Sequence, residues 1–138
     1  FYQHDTKVTQ VRFLFEQLGL FRDWKSEKML KMGVQRERKV PDGFFTRNGK
    51  GIAVEVELNP KKPETYQKII RLYEKNPSIH YIFYVCGDLA LMRKVTKLSK
   101  EADTKGFCFI LFDYLMKQRG EAYFTTQAGG KFKLKVLL

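Results

Sequence analysis

The sequence is short of cysteine, proline and acidic residues. Its 138 residues include two cysteines and four prolines, and 15 Asp or Glu stand against 26 Lys or Arg. Cys86 and Cys108 each fall inside an apolar run, and two cysteines without a neighbouring histidine make a poor zinc site. They are predicted to be reduced core residues of a cytoplasmic protein. His80 is predicted to be a core or edge histidine rather than a ligand.

The shortage of acids gives a net charge of +11. Such an excess favours a polyanionic partner, either nucleic acid or an anionic membrane surface. Charge alone does not choose between them, and a basic domain with neither partner is a third interpretation. No apolar run approaches the ~20 residues that a membrane-spanning helix needs, and we expect no membrane partner.

The length and the hydrophobic content of 43% predict one domain, residues 1–138, with a proper core. The chain begins with Phe1 rather than Met, so we expect it to be a fragment of a longer protein. Periodicity and turn residues predict the order helix, helix, hairpin, helix, strand, helix, strand, hairpin. The strands are predicted at 44–47, 51–58, 79–86, 107–112, 122–126 and 131–136. The result is an α/β fold, a mixed central sheet flanked by helices.

Three acids lie on the first predicted hairpin, whose turn is Asn48-Gly49. Asp42 precedes its first strand, and Glu55 and Glu57 lie on one side of its second strand. Two carboxylates on an otherwise apolar strand are costly to bury without a partner. A divalent metal or a cluster of Lys and Arg would supply the partner. The alternative is an edge hairpin with one face in water, and the spacing favours neither.

The hairpin resembles the PD-(D/E)XK nuclease superfamily, whose fold is restriction-endonuclease-like. The match consists of Pro41-Asp42, then Glu55-Val56-Glu57, then the helix predicted at 64–75. More narrowly, His4-Asp5, Trp24-Lys25-Ser26-Glu27, VPDGFF, VEVEL and Tyr66 resemble plasmid mobilization relaxases of the MobC type and related replication-relaxation proteins. The resemblance covers roughly residues 4–86.

The resemblance implies a Mg²⁺- or Mn²⁺-dependent DNA endonuclease, a nickase or relaxase that acts at a plasmid transfer origin or on other mobile-element DNA. Asp42 and Glu55 would be metal ligands, with the Val56 carbonyl as a third. Glu57 stands where the family has a lysine, so it would be either an added ligand or a sign that the cationic role has moved. Lys61 and Lys68 are the candidates for that catalytic cation.

Further residues are expected around this site. A tyrosine nucleophile is conceivable at Tyr2, Tyr66 or Tyr73, although helix packing is the stronger interpretation of the last two. Supporting residues are predicted at His4, Asp5, Glu16 and Tyr66. The predicted DNA-binding residues are Arg36, Arg38, Lys39, Lys61, Lys62, Lys68 and Arg71.

Two other functions fit the sequence. One is a DNA-binding module that kept the fold without catalysis, whose binding would depend on salt and not on metal. The other is a protein-interaction domain in a mobilization or replication complex, with little affinity for DNA at physiological salt. Other mobilization or replication proteins are therefore expected partners besides DNA.

Overall fold

A seven-stranded mixed sheet organises the chain in the computed structural model, which describes residues 2–31 and 39–138. The helices of these residues are α1 (Tyr2–Gln17), α2 (Glu27–Lys31), α3 (Pro63–Glu74), α4 (Leu89–Glu101) and α5 (Phe112–Gln118). The strands are β1 (Lys25–Ser26), β2 (Gly43–Arg47), β3 (Lys50–Glu57), β4 (Tyr81–Cys86), β5 (Phe107–Leu111), β6 (Tyr123–Thr126) and β7 (Lys131–Lys133). Single 3₁₀ turns cover Arg119–Glu121 and Leu134–Leu137.

The strands lie in the sheet in their sequence order, from β1 to β7. The central strands β3, β4 and β5 are parallel, and the outer pairings on both sides are antiparallel. The continuous apolar sequences of β4 and β5 account for this, because strands of a parallel sheet are covered on both faces. The predicted α/β class and mixed sheet flanked by helices are confirmed.

The β2–β3 hairpin forms with the predicted turn. Asn48 and Gly49 both have positive φ, 51° and 76°, as a two-residue type I′ turn requires, and Arg47 pairs with Lys50 across it. However, β3 is the third strand of the sheet, and its residues from Gly51 to Glu57 are all buried. The alternative of an edge hairpin with one face in water is therefore wrong.

The two faces of the sheet carry separate apolar cores. Val54 and Val56 of β3 belong to the core beneath α1, whereas Ala53 belongs to the core beneath α3 and α4. Side chains alternate along a strand, so Glu55 and Glu57 share the face of Ala53. Both acids thus lie on the side that α3 and α4 cover.

α1 begins at Tyr2, so that His4 and Asp5 lie in its first turns. Two strand predictions fail where tertiary contacts decide. Strand β1 was not predicted; it is two residues long and exists through pairing with β2. The last strand ends at Lys133 because Leu134 turns into the core, where it is fully buried and its N–H donates to the Ala122 carbonyl.

The cysteines lie in the core as predicted, whereas His80 lies outside the strand in which it was predicted. Cys86 and Cys108 are buried and free, and burial raises the pKa of each thiol to about 12. His80 is exposed just before β4, and its Nδ1 accepts a hydrogen bond from the Gly51 N–H at 3.0 Å. None of the helices in the described ranges is long and apolar enough to cross a membrane.

Candidate functional site

A cavity of about 390 Å³ lies where β3 reaches its carboxyl end. The three acids of the predicted motif, Asp42, Glu55 and Glu57, all line it. Three groups that can be cationic, His4, Lys39 and Lys61, line it as well. The fold thus brings together side chains from α1, from the approach to β2, from β3 and from the loop that follows β3.

Asp42 and Glu55 are held to each other by the backbone. The Asp42 N–H donates to Glu55 Oε1 at 3.1 Å, and Asp42 Oδ2 accepts from the Val56 N–H at 2.8 Å. Each carboxylate therefore fixes the segment that carries the other. Hydrogen bonds to carboxylates are stronger than those between neutral groups, so this exchange orients both acids firmly.

His4 lies against Asp42. Its Nε2 is 3.2 Å from Asp42 Oδ2, and its Nδ1 is 3.4 Å from Asp5 Oδ1. Burial lowers the pKa of His4, but the charge of Asp42 and the hydrogen bonds to both acids outweigh it, so the pKa is raised. Of the predicted supporting residues, His4 reaches the site directly. Asp5 is exposed and touches the site through His4.

Glu55 pairs with Lys39, whose Nζ lies 3.2 Å from Glu55 Oε2. The Glu55 side chain is 7% exposed and that of Lys39 is 27% exposed. Burial raises the pKa of Glu55 to about 7, with Lys39 opposing the rise and Asp42 adding to it. Burial lowers the pKa of Lys39, but its pairing with Glu55 has the larger combined effect and the pKa is raised.

Glu57 pairs with Lys61, four residues along the chain. The loop that carries Lys61 is anchored at two points. The Lys61 N–H donates to the Tyr66 hydroxyl at 3.0 Å, and its carbonyl accepts from Lys94 Nζ on α4 at 2.8 Å. Lys61 is thus placed over the cavity by contacts to α3 and α4.

Of the cations predicted to act in catalysis or DNA binding, some reach the cavity and others do not. Lys61 reaches the cavity, whereas Lys68 is exposed on α3 and does not line it. Lys62 and Arg71 are exposed beside Lys68 on the same segment. Arg36 and Arg38 lie outside the described residues.

Lys39 has a place that the sequence did not indicate. It was predicted to bind DNA as part of a charge run, yet it is half-buried and ion-paired with Glu55. The one hint in the sequence that Lys39 lies near the acids was its position three residues before Asp42. Pairing with β3, 16 positions further on, depends on how the approach to β2 folds back.

Two of the three tyrosine candidates are buried, which places them poorly for nucleophilic attack. Tyr66 and Tyr73 are buried between α3 and the sheet, as helix packing predicts. Burial is the main cause that raises the pKa of Tyr66 to about 12 and that of Tyr73 well above its ordinary value. Tyr2 is 82% exposed at the start of α1. Glu16, a predicted supporting residue, is exposed further along α1 and does not line the cavity.

The donor chemistry suits a hard divalent cation, because carboxylate and carbonyl oxygens are the ligands that Mg²⁺ and Mn²⁺ prefer. Within 2–31 and 39–138, no group of three His, Cys, Asp or Glu side chains has metal-binding spacing. Asp42 and Glu55 are the adjacent pair and would hold the ion. Glu57 is ion-paired with Lys61, and the Glu55 oxygens would have to contact both the metal ion and Lys39.

Comparison of the chain with protein-family models, with curated proteins and with solved structures gave no match. The chemistry of the site is therefore the guide to function, because a fold shared by many activities does not specify one.

Proposed function

We propose that this chain is a metal-dependent DNA endonuclease domain of the PD-(D/E)XK, restriction-endonuclease-like kind. By its resemblance to mobilization relaxases it would act as a nickase or relaxase on plasmid or mobile-element DNA. One observation supports this most. Asp42, just before β2, and Glu55, on β3, are joined by a hydrogen bond from the Asp42 N–H to the Glu55 carboxylate, and they line one cavity together with Glu57 and two lysines.

The site has the groups that phosphodiester cleavage needs. A Mg²⁺ or Mn²⁺ ion bound by Asp42 and Glu55 would neutralise phosphate charge and activate a water molecule. The protein's own cations, Lys39 and Lys61, border the same cavity and would bind the phosphate oxygens. Burial raises the pKa of Glu55 in the metal-free protein, so a bound cation would also hold this carboxylate in its ionised form.

The glutamate in place of the family's usual lysine is compatible with this proposal. Glu57 stands at the third motif position, but Lys61 pairs with it and Lys39 pairs with Glu55. Two lysines therefore reach the cavity from outside the strand. Of the two, Lys39 is the closer substitute, since it contacts the proposed metal ligand Glu55 itself.

The order of elements and the surface charge also favour the proposal. α1, the β2–β3 hairpin, α3 and β4 follow one another as the resemblance implies. Lys62, Lys68 and Arg71 are exposed at the start and along α3, next to the loop that carries Lys61. Such cations would bind DNA phosphates independently of base sequence.

A DNA-binding module without catalysis is the second candidate, and one observation favours it. Each acid of the cavity already has a cation of the protein beside it: His4 at Asp42, Lys39 at Glu55 and Lys61 at Glu57. A site that is balanced in this way needs no metal to be stable. Metal would then have no effect on DNA binding.

The test is nicking of supercoiled plasmid in Mg²⁺, in Mn²⁺ and in EDTA. We expect relaxation in either metal, none in EDTA, and a loss of about 10²-fold or more in Asp42→Asn and in Glu55→Gln, because metal assistance supplies several kcal/mol and 1.36 kcal/mol is tenfold. Glu74→Gln, an exposed glutamate on α3, is the matched control. DNA binding without relaxation in any metal, by protein whose circular dichroism is native, would favour the non-catalytic module.

A further inference from the structure

A second concave region lies at the opposite end of the sheet. Two adjoining cavities of about 290 and 520 Å³ share the side chains of Tyr81 and Phe132. They form one groove, which we call the aromatic groove. It runs along the starts of β3, β4 and β5, where Ile52, Tyr81 and Phe107 lie.

The aromatic groove is distinct from the acidic cavity. Lys50 opens β3 and borders the groove, whereas Glu57 ends β3 and borders the acidic cavity. Seven residue steps of a strand span about 23 Å. The two sites have no lining residue in common.

The groove exposes one aromatic ring and part of a second, which also stacks on Phe124 of the core. Tyr81 is 42% exposed, and Phe132 beside it is half-buried. Apolar side chains continue the surface, among them Val136, which is 70% exposed. Exposed apolar surface of this kind, when it is contiguous, marks a binding site more often than scattered apolar residues do.

The rim of the groove is cationic. Arg47, Lys50, Lys100 and Lys105 line it, against one acid, Asp103. Within the described part of the chain, Lys50, Lys100 and Lys105 form no ion pair, unlike Lys39 and Lys61 at the other end of the sheet. Arg47 donates hydrogen bonds to the carbonyls of Leu137 and Gly19.

We propose that the aromatic groove binds single-stranded nucleic acid. Tyr81 and Phe132 would stack on unpaired bases, and the lysines would bind the phosphates on either side. Aromatic rings inside a cationic groove are the recurrent means of binding single strands, because every base has a face that stacks. A duplex keeps those faces covered by neighbouring bases and would have only the lysines to contact.

The cationic rim favours a polyanion, rather than an apolar protein segment, as the ligand of the aromatic groove. A protein partner would have to bring acids to match four cations as well as apolar side chains. A nucleic acid strand supplies one phosphate for each base, so both features are met by one repeating ligand. The proposal needs a polynucleotide ligand but not cleavage, and it stands whether or not the acidic cavity binds metal.

The experiment is fluorescence anisotropy with a labelled oligothymidylate of about 12 nucleotides, within the length range that comparable grooves cover. It is run in EDTA at low salt. We expect Tyr81→Ala to weaken binding about tenfold, because stacking contributes about 1–3 kcal/mol per base. Tyr81→Phe keeps the ring and should stay within about twofold to threefold of wild type.

Tyr123→Ala is the matched control, since Tyr123 is 44% exposed but lies away from the groove. Glu74→Gln, an exposed position that lines neither site, should leave this affinity unchanged. Equal affinity of wild type and Tyr81→Ala, or no single-strand binding by natively folded protein, would overturn the proposal. Self-association that is lost in Tyr81→Ala, without single-strand binding, would overturn it in favour of a protein partner.

Discussion

The two ends of the sheet use positive charge in opposite ways. At the carboxyl end of β3, His4, Lys39 and Lys61 each lie beside an acid, and the acids are buried or nearly so. At the amino end, Lys50, Lys100 and Lys105 border exposed aromatic rings and are in no ion pair with a described residue. A cation already paired inside the protein is costly to recruit for a ligand. Lys50, Lys100 and Lys105 could therefore contact a polyanion without displacing an acid, whereas Lys39 and Lys61 would have to share theirs.

The largest expected effect is the pH dependence that Glu55 gives to the acidic end. Its pKa is raised from 4.5 to about 7 in the folded state. The unfolded chain loses this proton first, so the contribution of Glu55 to stability is greatest below pH 4.5, falls as the pH rises to about 7, and is constant above. Since each pH unit corresponds to about 1.4 kcal/mol, the fall amounts to roughly 3 kcal/mol.

Urea unfolding of wild type and Glu55→Gln between pH 4.5 and 8, in EDTA, measures this contribution. The free energy of unfolding of wild type should fall relative to that of Glu55→Gln over this range. His4, whose pKa is also raised, adds a fall above pH 6.5 that both proteins share. Parallel pH profiles, or a profile that Glu74→Gln changes as much, would contradict the assignment of Glu55.

The second effect compares two glycines at opposite ends of parallel strands. A Cβ added at Gly51, near the aromatic groove, would lie 1.9 Å from the Ser78 carbonyl oxygen, which is backbone. At Gly87, near the acidic cavity, it would lie 3.3 Å from the Leu58 Cδ2 atom of a side chain. We expect Gly51→Ala to lower the free energy of unfolding by about 2 kcal/mol or more, and Gly87→Ala by less than about 1 kcal/mol. Chemical denaturation measures both free energies of unfolding. Equal losses in the two variants would show that the backbone at Ser78 moves away with little loss of stability.

The third effect exchanges one lysine at each end for methionine. Lys39→Met leaves the buried Glu55 without its cation, so Glu55 should take up a proton, which limits the cost to about 1–2 kcal/mol at pH 8.5. Lys50→Met removes an exposed charge and should change stability by less than about 0.5 kcal/mol. Unfolding at pH 8.5 compares them. An inert Lys39→Met would mean that the Lys39–Glu55 pair contributes nothing to folding.

The smallest expected effect is on the salt dependence of single-strand binding. Lys105→Gln should reduce the slope of log affinity against log salt by about 0.7, the value for one phosphate contact on a single strand. Lys97→Gln, an exposed lysine of α4 that lies 3.9 Å from Glu101, should leave the slope as it is. Titrations at four salt concentrations provide both slopes. Equal reductions of the slope in the two variants would mean that the oligonucleotide contacts the whole basic surface rather than the aromatic groove.

Much of the fold was predictable because its signals are local. The Asn48-Gly49 turn, the apolar runs of β4 and β5, and Asp88 as the cap of α4 each act within a few residues. Strand β1 and the end of β7 were not predictable, because one exists through pairing with β2 and the other through burial of Leu134. Of the candidate site, the shared side of Glu55 and Glu57 followed from their spacing and their grouping with Asp42 from the resemblance, whereas the place of Lys39 was not predicted.

The sequence by itself determined the alternation that puts Glu55 and Glu57 on one face of β3, and the excess of Lys and Arg over acids. Both follow from residue identity and from the period of a strand. Only the tertiary structure decided which cation lies beside which acid. Lys39 reaches Glu55 and His4 reaches Asp42 because a loop and a helix end fold back onto β3. Tertiary structure also decided which lysines of the described residues stay out of ion pairs: Lys50 lies among aromatic and aliphatic side chains, and Lys100 and Lys105 lie among polar, small and aromatic ones with Asp103 as the one acid.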